Sequence, residues 1–239
     1  MDEVAEIGEE RVLALLADGE VEILGLMPYA SNATLLTKVT DGDLTSLAVY
    51  KPQRGERPLW DFPGGTLCYR EYAAWIVDRA LGFGLVPPAV LRDGPAGFGA
   101  LQFFVEPDED VDLTELPSTH PDELRRMCAF DVVSNNADRK AGHCIVDPRG
   151  KLWGVDHGIC FHVEPKLRTV IWLFEDEPLP SDVVGGLERF CADDTARRTL
   201  SELLDPDEVE MTYRRVARLL SGGRFPAPGA GRNVPWPPW

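Results

Sequence analysis

The chain contains no run of about 18 apolar residues, the shortest that crosses a bilayer as a helix, so insertion into a membrane is not expected. Its opening residues, MDEVAEIGEE, are acidic and lack both the basic start and the apolar core of a secretory signal. The five cysteines are odd in number, scattered, and form no Cys-x-x-Cys pair. That excludes a disulfide framework or a zinc site and predicts reduced thiols in the cytoplasm. Positive charge is scarce, with 24 Lys and Arg against 40 Asp and Glu and a formal net charge of −16. A surface of that sign repels nucleic-acid phosphates and anionic lipid, so neither is an expected partner. Internal repeats are absent.

What remains is the composition of an ordinary soluble protein: 239 residues, 44% hydrophobic and 27% charged, enough for one large domain or two small lobes. Apolar spacing predicts a helix over residues 3–17, ended by Asp18-Gly19. Strands are predicted at Val21–Met27, Thr34–Thr40 and Ser46–Lys51, the last two joined by the turn Asp41-Gly42-Asp43. The Pro- and Gly-rich stretch 52–66 reads as a structured loop, and a helix follows at about 67–82. Ala89–Arg92 and Ala100–Val105 read as two further strands. The acidic, apolar-poor segment 106–112 makes a connection. Beyond it, Pro121–Ser134, Ser181–Ala192, Asp194–Leu204 and Pro206–Leu220 read as helices. The expected fold class is therefore α+β: a sheet-rich lobe over 1–106, a helix-rich lobe over 107–222, and a Pro/Gly/Trp-rich tail over 223–239 with no regular element.

The richest stretch runs from Asn135 to Gly158. Asp138 lies in a polar loop, His143 follows five residues on, and Asp156 leads into His157-Gly158. Between them stand two short apolar runs, Ile145-Val146 and Leu152–Val155, separated by the turn Asp147-Pro148-Arg149-Gly150. Loop, strand, turn, strand, Asp-x-Gly is a layout that phosphoryl transfer needs. One carboxylate meets the attacking hydroxyl, and other groups hold a divalent metal against the phosphates.

This stretch resembles the catalytic and metal-binding loops of the phosphatidylinositol 3-/4-kinase-like superfamily, which includes the HipA-type bacterial kinases. Asp138-Arg139 matches the start of their Asp-Arg-His-x-x-Asn loop, Asp156-His157-Gly158 matches their Asp-x-Gly, and Asn135-Asn136-Ala137-Asp138 resembles the HipA-type opening. Lys140 stands where a His is usual, and His143 where the metal-binding Asn is usual. Most of residues 1–222 also resembles an actinobacterial family of kinase-like proteins. The resemblance implies a two-lobed protein-kinase-like fold and an enzyme using ATP with Mg²⁺ or Mn²⁺. Asp138 is the implied catalytic base, and Asp156, with His143, the implied metal site. Imidazole suits Mn²⁺ better than Mg²⁺, so His143 either ligates the metal, positions it through water, or braces the loop.

Strand alternation puts Leu47, Val49 and Lys51 on one face, which is expected to be the buried one. A lysine there needs an anion: the ATP phosphates, with Glu71 of the following helix as its partner. The bland alternatives are an edge lysine and a solvated glutamate. The loop between the first two strands, residues 28–34, has no glycine, and Ser31, Asn32 and Thr34 are its candidate phosphate contacts. Arg54 and Arg57 form a local basic pair in the next loop. Backbone groups of the strand end, Gln102, Phe104 and Val105, are candidates to face adenine. Lys166 and Arg168, beyond the Asp-x-Gly, are a candidate substrate loop.

The implied reaction is phosphoryl transfer from ATP to a hydroxyl of a protein or small molecule. The charge of the chain disfavours a lipid acceptor. A nucleotide-binding pseudokinase and a nucleotidyl transferase on the same fold are the alternatives.

Overall fold

A computed structural model of the protein describes residues 7–28 and 32–239. The chain divides into two compact units. The first comprises residues 1–72 and 87–104, the second residues 73–86 and 105–239.

The first unit is built on a five-stranded antiparallel sheet in the order β1-β2-β3-β5-β4. Its strands are β1 (Glu20–Leu26), β2 (Leu35–Asp41), β3 (Leu44–Pro52), β4 (Ala89–Gly94) and β5 (Gly97–Phe103). Helix α1 (Glu9–Asp18) covers one face, placing Leu15 and Leu16 against Leu35, Val39, Ala48, Tyr50 and Leu101. Burying each of those two leucines contributes about 2 kcal/mol. The helix starts later than the spacing predicts, at Glu9 after the cap Gly8; residues 3–6 of the prediction lie outside the described residues. The hairpin turn between β2 and β3 forms as expected, with Asp41 opposite Leu44 and Gly42 in the left-handed region at φ 58°.

One expectation is reversed. The buried face of β3 carries Ala48, Tyr50 and Pro52, and Leu47, Val49 and Lys51 lie on the other face, where Leu47 is 38% exposed. Alternation separates two faces correctly, but both are apolar here. The choice was made by α1, which packs where the small Ala48 and the flat Tyr50 leave room. Strand β5 also ends earlier than expected, at Phe103.

The second unit holds most of the helices. Helix α2 (Leu67–Leu81) spans the division at residue 73. It is followed by the single turn α3 (Leu116–Thr119), by α4 (Pro121–Ser134), and by α5 (Ser181–Ala192), α6 (Asp194–Leu203) and α7 (Pro206–Gly222). Between α4 and α5 lies a two-stranded hairpin, β6 (Cys144–Val146) and β7 (Leu152–Gly154). Helix α4 obeys its sequence signals at both ends. A proline opens its first turn beside Asp122 and Glu123, which favour the positive end of the helix dipole. Asn135 closes it in the left-handed conformation. Leu124, Met127, Phe130 and Val133 of α4 are buried, as are Val183, Leu187 and Phe190 of α5 and Val216 and Leu219 of α7. Among the described residues no helix is long and apolar enough to cross a membrane.

Candidate active site

In the first unit the register of β3 sets the position of Lys51. It lies opposite Ala100 of β5, and the next pair is Pro52 with Gly99. A side chain at Gly99 would put its Cβ 2.4 Å from the Lys51 carbonyl oxygen and 2.6 Å from Pro52 Cα, so only glycine lets the strands approach here. The Lys51 ammonium donates to the Glu71 carboxylate in the first turns of α2. The side chains of the pair are 18% and 4% exposed. Such a pair is largely shielded from water, unlike a surface salt bridge, and each charge depends on the other. The structure thus brings Lys51 and Glu71 together.

The other first-unit candidates are less free. Asn32 accepts the Arg57 N–H at its side-chain oxygen (2.8 Å) and the Thr34 N–H at its carbonyl (2.8 Å), and Thr34 returns its carbonyl to Met27 N–H (2.9 Å). Ser31 lies outside the described residues. Gln102 is buried and donates to the Pro87 carbonyl (3.3 Å), and Phe104 N–H bonds to Leu47 (3.2 Å). Val105 groups with the second unit.

In the second unit the loop after α4 is anchored from below by a buried polar network. Asp131 and Arg139 are both fully inaccessible. Arg139 Nε and Nη2 meet the Asp131 carboxylate at 3.0–3.2 Å. Its Nη1 donates to the carbonyls of His143 (3.2 Å) and Val155 (3.0 Å). Its Nη2 donates to His157 Nε2 (2.7 Å). That last bond requires a lone pair on Nε2, so His157 is neutral with its proton on Nδ1. Asp131 also accepts from Asn136 (3.0 Å) and from the Thr169 hydroxyl (3.1 Å). Burial alone disfavours both charges, raising the carboxyl and lowering the guanidinium. Attraction and hydrogen bonding to Asp131 reverse this for Arg139 and hold it above its ordinary value. Arg139 therefore ties together the start of the loop, its end at His143, and the segment entering Asp156. The close approach also needs Gly154, where a Cβ would lie 2.8 Å from Met127 Sδ.

Asn135 and Asn136 stitch the loop to the segment beyond Asp-x-Gly. Asn135 donates to the carbonyls of His162 (2.9 Å) and Glu164 (2.7 Å) and accepts from Lys166 N–H (2.9 Å). The Asn136 side-chain oxygen accepts the Asp138 N–H at 2.9 Å.

Asp138 is half-buried, and its carboxylate lies 3.0 Å from the Lys140 ammonium. Burial pushes its pKa up from 3.8, Lys140 opposes this, the Asp156 charge adds to it, and the Arg168 charge opposes it. Lys140 and Arg168 are the cations that favour its charged form. The Arg168 backbone is pinned between Asn136 and Arg139, with N–H to the Asn136 carbonyl (2.8 Å) and carbonyl from Arg139 N–H (2.9 Å). The Lys166 side chain is 9% exposed, and its ammonium lies 3.9 Å from the Glu164 carboxylate.

Asp156 sits in the left-handed region at φ 62° with its carboxylate 54% exposed. Aspartate is among the few non-glycine residues that adopt this conformation readily. Its Oδ2 is 3.5 Å from His143 Nε2, and His143 Nδ1 faces the Lys140 N–H at 3.5 Å. A ring whose Nδ1 accepts carries its proton on Nε2 and offers it to Asp156. Among the described residues, no three His, Cys, Asp or Glu side chains already form a metal cage. An accessible carboxylate still fits a hard cation such as Mg²⁺, which takes one or two protein carboxylates and completes its shell with phosphates and water.

Sequence reasoning singled out Asp138, Asp156, His143, Arg168, Lys51 and Glu71. It noted Lys140 only as a departure from a pattern and missed Asp131 and Thr169 altogether. Lys140 carried a signal, a cation two residues beyond a candidate base. Asp131 and Thr169 carried none, being 38 residues apart and apposed only by folding.

No protein-family model matches the chain. Protein Rv2133c of Mycobacterium tuberculosis is 40% identical over 262 residues, covering 94% of each chain. Phosphatidylinositol 4-kinase gamma 2 of Arabidopsis thaliana is 28% identical over 193 residues, covering 64% of this chain and 34% of that kinase. The chain thus spans about a third of the plant relative's length. Among solved structures, the Helicobacter pylori proinflammatory kinase CtkA superposes with a TM-score of 0.53 over 88% of this chain and 94% of that one, at 12% identity. That likeness is one of fold: the chain has a two-lobed, kinase-like α+β architecture.

Proposed function

This chain belongs to the family of Mycobacterium tuberculosis Protein Rv2133c, and we propose that it is an ATP-dependent phosphotransferase acting on a hydroxyl of a protein or small molecule. The observation that carries this reading is the pairing of Asp138 with Asp156. Arg139 bonds the loop that carries Asp138 to the segment that enters Asp156, with Nη1 on the His143 and Val155 carbonyls (3.2 and 3.0 Å), so the two carboxylates stand at the two ends of one loop-hairpin-loop unit. Asp138, whose proton affinity is raised, is the group that takes the proton from the acceptor hydroxyl. Lys140 beside it offsets negative charge during transfer. Asp156 would hold the divalent metal, and His143 would donate to Asp156 and orient it. The metal, when bound, supplies charge neutralisation at the phosphates. Lys51, fixed by Glu71, would grip those phosphates.

A formal net charge of −16 disfavours an inositol lipid at an anionic surface. Lys166 and Arg168 give the acceptor a local cationic segment instead. The test is incubation with ATP labelled separately at the α- and γ-phosphates, with Mg²⁺ or Mn²⁺, over candidate hydroxyl acceptors. Transfer of the γ label by wild type and not by Asp138→Asn is expected. Transfer of the α label would replace the kinase reading with nucleotidyl transfer. ATP binding indifferent to metal would leave a regulatory pseudokinase.

A further inference from the structure

The Pro/Gly/Trp-rich tail has no regular element, yet it makes specific bonds to the loops of the second unit. The Asn233 carbonyl accepts from both the Thr169 N–H (3.0 Å) and the Trp172 indole N–H (2.9 Å). The Asn233 carboxamide closes its own turn by donating to the carbonyls of Gly229 (2.5 Å) and Gly231 (3.2 Å). Five residues on, the Pro238 carbonyl accepts the Ala141 N–H (2.9 Å). Pro235, between the two contacts, is buried, whereas the rings of Trp236 and Trp239 are 74% and 75% exposed. The tail is therefore held here mainly by backbone carbonyls, not by burying its two largest side chains.

Both contacts fall on the Asp138 machinery. Ala141 lies in the turn between Lys140 and His143. Thr169 donates its hydroxyl to Asp131, and Val170 N–H returns to the Arg139 carbonyl (3.1 Å). The tail thus bonds to both sides of the junction where Arg168 crosses the Asp138 loop. Ordering an irregular segment costs backbone entropy at every residue. Its prolines lower that cost by restricting the disordered chain. We infer that residues 227–239 form a strap that positions the Asp138 loop against the 168–172 segment, with Asn233 and Pro238 as positioning residues. Its effect on turnover rests on the phosphotransferase reading; its effect on the loop does not.

The experiment compares the wild type with a chain ending at Pro226 and with Trp172→Phe, which removes one donor to Asn233 and keeps a smaller aromatic ring in its place. Three quantities are read: amide exchange at Ala141 and Thr169, the carbon-13 titration of the Asp138 carboxyl, and turnover of γ-labelled ATP with Mg²⁺. In the shortened chain exchange at both amides is expected to rise about tenfold or more, with α5–α7 unchanged. The Asp138 titration should move, and turnover at saturating ATP should fall about tenfold with the KM for ATP unchanged. Trp172→Phe should move Thr169 exchange in the same direction by less. Unchanged exchange would overturn the strap, and so would an Asp138 titration identical in all three proteins. A wild type without turnover would sink the phosphotransferase reading, leaving exchange and titration to decide the strap.

Discussion

Lys51 and Asp138 are placed by opposite strategies. Lys51 rides on the third strand of a sheet, where ladder hydrogen bonds and the register opposite Ala100 fix its Cα. One ion pair to Glu71 then fixes its tip. Asp138 sits in a loop with no ladder. Its position is set from beneath by a buried guanidinium that reaches four protein groups, by Asn135, which donates to the distant carbonyls of His162 and Glu164, and by Asn136, which donates to Asp131 and accepts the Asp138 N–H. A strand delivers a side chain through its own secondary structure. A loop must borrow rigidity from buried polar groups, and these are costly when incomplete.

Removing the carboxylate that the loop presents should have the largest effect. Asp138→Ala is expected to lower turnover by about 10³-fold and to leave ATP affinity within about twofold, because the base proposed above acts on the acceptor and not on the ground-state nucleotide. Turnover measured beside calorimetric ATP affinity checks this. Loss of both together would instead place Asp138 at the nucleotide.

Next comes the support beneath it. Arg139→Met strands a buried Asp131 and should destabilise the protein by about 3–5 kcal/mol, read as a fall in the denaturation midpoint. Lys51→Met removes a cation that is partly in reach of water. Because it leaves the buried Glu71 carboxylate without this cation, it should destabilise the protein by about 1–3 kcal/mol, less than Arg139→Met, while weakening ATP binding about tenfold. Equal destabilisation by the two variants would erase the contrast between strand and loop.

The pH dependence sharpens the same comparison. With Asp138 as the proposed base, which works deprotonated, activity is expected to be full above its folded pKa and lost as pH falls through it. Burial raises that pKa above 3.8 and Lys140 holds it down. Lys140→Met should therefore move the acid limb of kcat/KM to higher pH. A limb that stays put would show that Lys140 does not face the working carboxylate in solution.

The smallest effect concerns His143. Its Nε2 faces Asp156, so His143→Asn should weaken metal binding about tenfold and leave the ratio of Mn²⁺- to Mg²⁺-supported binding unchanged. A fall in that ratio would make the imidazole a ligand.

Much of this was legible in the sequence, for identifiable reasons. The helix Pro121–Ser134 announces both ends through its proline and its Asn135 stop. The hairpin after Asp138 is marked by Asp147 and Gly150, whose turn chemistry is local. The partnership of Lys51 with Glu71 was expected only from the resemblance of the later loops, because a strand end and the next helix leave an edge lysine and a solvated glutamate equally open. The buried face of β3 was not legible, because Leu47 and Val49 are as apolar as Ala48 and Tyr50 and only the packing of α1 distinguishes them. The Asp131–Thr169 bond and the tail contacts join residues far apart in sequence, and neither composition nor periodicity encodes such pairs. The tail's composition correctly excluded helix and strand and gave no hint that its carbonyls meet Ala141 and Thr169.

Thr169 has a consequence for control. From Ile159 to Trp172 it is the only residue with a side-chain hydroxyl, and it is 1% exposed, donating to Asp131. A modifying enzyme would have to unfold the segment to reach it, and a phosphate there would face a buried carboxylate. Covalent addition at this hydroxyl therefore cannot serve as an on-switch. The contacts it would need to create are already made by Asn135, Asp131 and the Asn233 carbonyl, so the folded segment is ordered without any modification.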